Sequence, residues 1–419
     1  MSPLLANQSP RIFRAPWVIP VTSAVLSDGA VVLDQDSIIA VGQYDDIVAR
    51  FSDLPVTKCS GVILPALVNA HIHLDLSIYG PVPQESAESS MCDWISSLLK
   101  KRMDSNYSIQ EIRDAAEKIA VKQHESGVGL MLDTGNTDLG KFQSCSAEII
   151  SLFEMLGPSK LATEAAIKTI TELPCHRMVT GHAPYSTTPE LLKFIKKRSI
   201  EKDSIFSFHL LENLDESLLL IKGSGCFSKF LKERGATSDT FPIPGIDTKG
   251  VVGYLQKTGI LDRNTLCVHC VHLSDQEIKL IAESDAYICL CPTSNSFLNV
   301  GRAPLERILN HGLLPALGTD SITSNPMLDM WDEMALVKQN HPTVSVDTIL
   351  SMATHGGAMA LHREKRFGSL ECGRTSSILN ICATHYEKAT NAWQLVERIT
   401  SGGRPDSINW LSPVNTISN

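Results

Sequence analysis

Residues 64–77 read LPALVNAHIHLDLS, an apolar run that ends in two histidines one residue apart. Side chains at i and i+2 of a strand point to the same face. His71 and His73 would therefore project together into whatever that face lines. The pair is either hydrogen-bonded filler or half of a metal site, and the rest of the chain has to decide between them.

The sequence changes rhythm at this stretch. Upstream, residues 17–21, 30–33 and 38–42 are short apolar patches between turn signals, the pattern of a small antiparallel β unit. Downstream, apolar runs alternate with helix-period segments such as 109–125 and 277–283. Strands are expected at 62–68, 128–133, 178–181, 205–210, 265–271, 286–290 and 313–318. Such alternation predicts an α/β chain with a (β/α)8 barrel of the TIM type. The last fifty or so residues return to short β-like pieces, 376–381 and 408–411. The expected organisation is a small β-sandwich formed by both chain ends, residues 1–64 and 365–419, flanking a catalytic barrel over 65–364. The polar, proline-containing stretch 78–93 would be the loop after the first barrel strand, placed to act as a lid.

Composition narrows the function classes. The 419 residues are 43% hydrophobic with a net charge of −9, and no Lys/Arg block stands out, which argues against a nucleic-acid or anionic-membrane surface. No apolar run approaches the roughly 18 residues of a membrane span. The first residues lack a charged region followed by an apolar one, so no signal peptide is expected, and the protein reads as cytoplasmic. Eleven scattered cysteines suggest reduced thiols rather than a disulfide framework. Cys267 and Cys270, followed by Cys289 and Cys291, have the outline of a zinc ribbon. On a strand, however, residues three apart face opposite sides, so these cysteines read as small buried hydrophobes. A homodimer is the general expectation for a soluble oligomer.

The chemistry-bearing residues sit where apolar runs end. His209 ends SIFSFHLLE with Glu212 three residues on, His269 lies in TLCVHCVHL, and Asp320 follows LLPALGTDS. Taken singly, each has an ordinary explanation as a strand-end hydrogen bonder or a helix cap. Together, at the carboxyl ends of different strands, they would meet at one barrel mouth. An HxH pair with a further His and an Asp suits Zn²⁺ or Fe²⁺ and leaves a position for water. Glu212 would stand near the same mouth, placed to move a proton.

LPALVNAHIHLDLS, GHAPYST, FHLLE, VHCVHL, CPTSN and LGTDSITSN together resemble the amidohydrolase superfamily, in its cytosine-deaminase-like and chlorohydrolase-like branch. DWISSLLKKR, GSGCFSKFLKERG and HCVHLSDQEI are similar to the aminofutalosine deaminases of the menaquinone pathway. The resemblance implies that His71, His73, His209 and Asp320 bind one divalent metal, zinc or alternatively ferrous iron. It further implies that Glu212 carries a proton to a substrate ring nitrogen, that His269 orients the attacking water, that Asp320 accepts a proton as well as ligating, and that His182 contacts the substrate. Of the neighbours His269 and His272, the motif picks His269; the MVTGHAP segment offers no lysine to hold a second metal. The implied activity is release of ammonia from an adenine nucleoside, 6-amino-6-deoxyfutalosine first. Adenosine, methylthioadenosine and S-adenosylhomocysteine are alternatives, as are guanine deamination and chlorohydrolysis. Thr293 departs from the pattern, since aminofutalosine-type enzymes usually carry a basic residue after Cys-Pro. Lys100, Arg102 and Arg302 are the candidates for an anionic substrate group.

Overall fold

The computed structural model describes residues 10–84, 86, 89–236, 240–375 and 377–411. The leader-free reading of the first nine residues, part of the expected lid, and Ser376 of the expected strand 376–381 lie outside them. Two compact units form. One comprises the described residues of Met1–Val68, Gln123–Leu130 and Met330–Asn419; the other comprises those of Asn69–Lys122 and Met131–Asp329.

The strands are β1 (Arg11–Val18), β2 (Leu26–Asp34), β3 (Ser37–Gln43), β4 (Val56–Lys58), β5 (Val62–Pro65), β6 (Leu67–Ile72), β7 (Val128–Gly135), β8 (Glu148–Met155), β9 (Val179–Gly181), β10 (Phe206–Leu210), β11 (Thr265–His269), β12 (Tyr287–Leu290), β13 (Ala316–Leu317), β14 (Ile378–Cys382) and β15 (Ser407–Leu411). Both chain ends do join one β structure, in the order β15-β14-β5-β1-β2-β3, with β4 on β1. All seven strands are linked by hydrogen bonds into one sheet. Its strands alternate as period two requires. Phe13, Val31, Leu33, Ile63 and Ile378 cluster together, while Ile12, Ala30, Val32 and Ala40 pack with Ile47 of the helix Tyr44–Arg50. Each such large buried side chain contributes roughly 1.5–3 kcal/mol.

The expected strand 62–68 is two strands. β5 pairs antiparallel with β14, ends at Pro65, and the chain re-enters pairing as β6 in a different sheet. The change of sheet falls next to Pro65, whose nitrogen has no proton to donate to a ladder.

Two further four-stranded sheets run β6-β7-β8-β9 and β10-β11-β12-β13. The pairs β8–β9, β10–β11, β11–β12 and β12–β13 are parallel, as the strand–helix alternation requires. Ile72 makes a parallel bridge to Asp320, and the His209 amide donates to the His182 carbonyl at 2.8 Å. Gly318 is obligatory at the first of these junctions, because a Cβ there would meet the His71 Cβ at 2.8 Å and its backbone nitrogen at 2.9 Å. Intervening helices are set by local chemistry. Ser90 and Asp93 cap Met91–Asp104 reciprocally, and Asn213 and Glu216 do the same for Leu214–Lys222.

The cysteines correct one expectation. Cys92 and Cys226, 134 residues apart, form a disulfide with Cα atoms 6.2 Å apart. It joins the first turn of Met91–Asp104 to the first residue of Cys226–Glu233, a proximity created by folding and invisible in sequence spacing. The other nine cysteines are free thiols, and Cys267, Cys270, Cys289 and Cys291 are buried. Among the described residues no helix is long and apolar enough to cross a membrane.

Candidate active site

Strand ends deliver the candidate residues to one place. His71 lies in β6 and His73 just beyond it; His182 follows β9, His209 lies in β10, His269 ends β11, and Asp320 follows β13. All belong to the second unit. His269 and Asp320 hold left-handed backbone, φ 71° and 58°. For residues other than glycine such conformations cost about 1–3 kcal/mol and cluster where side chains must be aimed.

The Nε2 atoms of His71 and His73 lie 3.2 Å and 3.3 Å from that of His209. Asp320 Oδ1 is 3.7 Å from His71 Nε2 and 3.5 Å from His73 Nε2. One ligand atom from each of the four residues falls within 4.8 Å of all the others, and all four are buried. His209 donates its Nδ1 proton to the His182 carbonyl at 2.8 Å, which leaves the lone pair on Nε2 facing the other two rings. Imidazole nitrogens aimed at one point beside a carboxylate repel unless a proton or cation sits between them. The donor set therefore fits a divalent metal, by its own chemistry.

Electrostatics agree with that reading. Burial pushes His71 down to about 4 and His182 down to about 3, and it holds His209 well below the usual range. Burial opposes ionisation of Asp320, but the neighbouring imidazoles of His71, His269 and His73 outweigh this and hold it well below the carboxylate range. Unprotonated histidines and an ionised aspartate are the forms that ligate metals.

Glu212 approaches His269, with Oε1 3.6 Å from Nδ1. Burial first, then the charge of Asp320, raises the Glu212 carboxyl well above its ordinary value, which favours its protonated form. Glu216 fixes the loop that carries Glu212, accepting from the amides of Leu211, Glu212 and Asn213 at 3.0, 2.8 and 3.2 Å. His182 is half-buried and pairs with Ser186 Oγ at 2.6 Å. His272 donates to the Val300 carbonyl at 2.9 Å, away from the cluster.

Some participants are absent from the sequence reading. Asn295 Oδ1 accepts from His269 Nδ1 at 2.8 Å, and Ser294 and Ser324 donate to Asp320 Oδ2 at 2.5 and 2.8 Å. All three lie in CPTSN and LGTDSITSN, segments noted for their resemblance but not for these bonds. Glu154 near the end of β8 is also new; burial raises it to about 7. Its signal was the alternation in EIISLFEM, which identifies a strand and places Glu154 at its carboxyl end.

The cluster opens into a cavity of about 940 Å³, counted out to its mouth. Trp94, Leu98, Phe230 and Leu298 form part of an apolar wall, and His182, Glu212 and His269 face the same space. Of the three basic candidates, Arg102 lines the cavity and donates to Asn136 Oδ1 at 2.8 Å, whereas Lys100 and Arg302 are exposed. Thr293 lies in the short helix Pro292–Phe297.

Comparison with known proteins gives a consistent set. Residues 62–394 match the sequence profile of the amidohydrolase family. The 5-methylthioadenosine/S-adenosylhomocysteine deaminase of Nitratidesulfovibrio vulgaris (strain Hildenborough) is 26% identical over 385 residues, covering 85% of this chain and 79% of its own. Helicobacter pylori aminofutalosine deaminase, solved with methylthio-coformycin, superposes with a TM-score of 0.79 at 23% identity over 94% of this chain and 97% of that one. An adenosine deaminase from Xanthomonas campestris with bound zinc gives 0.71 at 20% identity over 95% and 90%. At these identities the two structures speak to the fold.

Proposed function

The chain belongs to the amidohydrolase family, and on that premise we propose that it is a hydrolytic deaminase of adenine nucleosides. The observation that carries this reading is the convergence of His71, His73, His209 and Asp320 on one point, with Glu212 beside His269 in the same cavity. We read the two four-stranded parallel sheets as halves of one (β/α)8 barrel, because the Ile72–Asp320 bridge and the His182–His209 bond tie both pairs of edges.

His71, His73, His209 and Asp320 would hold a single divalent ion, with zinc the first choice and ferrous iron the second. When bound, such an ion supplies a charge that brings the acidity of a water close to neutral pH. Glu212, whose protonated form its burial favours, gives its proton to the ring nitrogen beside the amine-bearing carbon, which draws electrons from that carbon. Water adds to the carbon, and the amine leaves as ammonia once it has taken up the water's second proton. His269 is fixed by Asn295 through Nδ1, so its Nε2 is the nitrogen free to orient the water. Asp320, held through Oδ2 by Ser294 and Ser324, would have Oδ1 left to help hold the ion and to take the proton released by water. His182, just after β9, faces the cavity and contacts the substrate.

The test is ammonia release by the zinc-loaded protein on aminofutalosine, adenosine, methylthioadenosine, S-adenosylhomocysteine, guanine and cytosine. At least one adenine nucleoside should turn over, with a loss of roughly 10²–10⁴ in Glu212→Gln. Silence across the adenine nucleosides, with one metal bound per chain, would sink the reading.

A further inference from the structure

Glu154 is a carboxyl group with no task in the chemistry above. It is 5% exposed, it lines the cavity, and its Oε1 has no hydrogen-bond partner among the described residues. An unpaired buried acceptor costs about 1–3 kcal/mol, so a group left in this state on a cavity wall is one that a ligand completes.

One of its two carboxyl oxygens lies within 4.8 Å of ring nitrogens of His182 and His209, which raises the question of a second metal. The hydrogen bonds answer it. His209 Nδ1 is engaged by the His182 carbonyl at 2.8 Å, its Nε2 faces His71 and His73, and His182 Nδ1 is engaged by Ser186 at 2.6 Å. His209 has no nitrogen left for another ion. A hydrogen-bond donor on the substrate would complete Glu154. An adenine nucleoside carries two kinds of donor: the exocyclic amine, which leaves as ammonia, and the sugar hydroxyls.

The rest of the cavity bears on what lies beyond the sugar. Its lining includes four carboxyl groups, Asp75, Glu154, Glu212 and Asp320, four imidazoles, and one guanidinium, Arg102. Arg102 is already engaged, donating to Asn136 at 2.8 Å and lying 5.9 Å from the Tyr79 ring centre. Met91, Trp94, Ile95, Leu98, Phe230 and Leu298 give the lining its apolar part. A carboxylate placed against these side chains would lose its water with no unengaged guanidinium to replace it.

Resting on the adenine-nucleoside reading, we propose that Glu154 is a specificity residue that accepts a hydrogen bond from a sugar hydroxyl, and that the pocket selects nucleosides with an uncharged apolar 5′ group over those ending in a carboxylate. Methylthioadenosine would then be preferred to aminofutalosine among the substrates considered.

Two matched probes isolate the claim: 5′-propylthioadenosine and 5′-(2-carboxyethylthio)adenosine. The zinc-loaded chain should favour the first by at least tenfold in kcat/KM. Glu154→Gln should raise KM for 5′-propylthioadenosine about tenfold with kcat little changed, and removal of either the 2′- or the 3′-hydroxyl should abolish the difference between variant and parent. Calorimetric binding of the matching purine riboside, which lacks the leaving amine, should weaken by the same factor without any turnover. Glu154→Asp, with a shorter reach, should fall between parent and Gln, and retained kcat in both variants certifies the fold. Preference for the carboxylate probe, or a Gln effect that persists in both deoxy analogues, would overturn the inference while leaving the deaminase reading intact. No turnover of any adenine nucleoside removes both.

Discussion

His71 shows how much a single residue has to reconcile. Its ring is 1% exposed, it faces two other imidazoles, and burial takes its pKa from 6.5 down to about 4. In the unfolded chain this histidine binds a proton below about 6.5, whereas in the metal-free folded chain it does so only below about 4. The stability it contributes is thus complete above pH 6.5 and is lost as pH falls toward 4, by about 3 kcal/mol at ~1.4 kcal/mol per pH unit. His182 acts in the same direction. Denaturant unfolding of the chelator-treated protein should therefore show markedly lower stability at pH 4.5 than at pH 7; equal midpoints would contradict the buried, uncharged histidines. The ligand candidates were legible in sequence because each ends an apolar run, which is where a strand delivers a side chain to a sheet edge. Asn295, Ser294, Ser324 and Glu154 were not, since asparagine, serine and glutamate occur throughout the chain and gain meaning only from the atoms they meet.

At the scale of elements, long periodic segments read well. The helix Ile109–Glu125 has the bounds expected of it, and β10, β11 and β12 lie within their expected runs. β8 was missed because Glu148, Ser151 and Glu154 break its apolar character, although its alternation of buried and half-buried residues is that of a strand with one face inward. The disulfide was out of reach of sequence because connectivity cannot be deduced from spacing. It fastens two helices that both supply the apolar wall, Met91 and Trp94 from one and Phe230 from the other. Closing a loop of 134 residues limits the freedom of the unfolded chain, with a typical effect of about 2–4 kcal/mol. The paired variant Cys92→Ser/Cys226→Ser should unfold at lower denaturant by that amount, and reductant should shift the parent but not the variant. A parent insensitive to reduction would show that the cross-link contributes nothing.

For the whole molecule, the sequence revealed an alternating α/β region and a β structure built from both ends. It did not reveal how that structure is layered. Short apolar patches identify strands, but which strand pairs with which depends on contacts hundreds of residues apart, such as β5 with β14. At the other end of the scale, the strand pairs that define the site are also the ones that span most of the second unit's sequence. The His71 carbonyl accepts from the amides of Thr319 at 3.1 Å and Asp320 at 3.0 Å, while its ring and the Asp320 carboxylate aim at the same point. An ion held there works as a buckle, clasping the earliest strand of the unit to its last. Stripping the ion should then speed hydrogen exchange at the Thr319 and Asp320 amides by more than tenfold and leave that of Val268, inside β11, unchanged. A chain starved of metal would come undone at its seam before it came undone at its core.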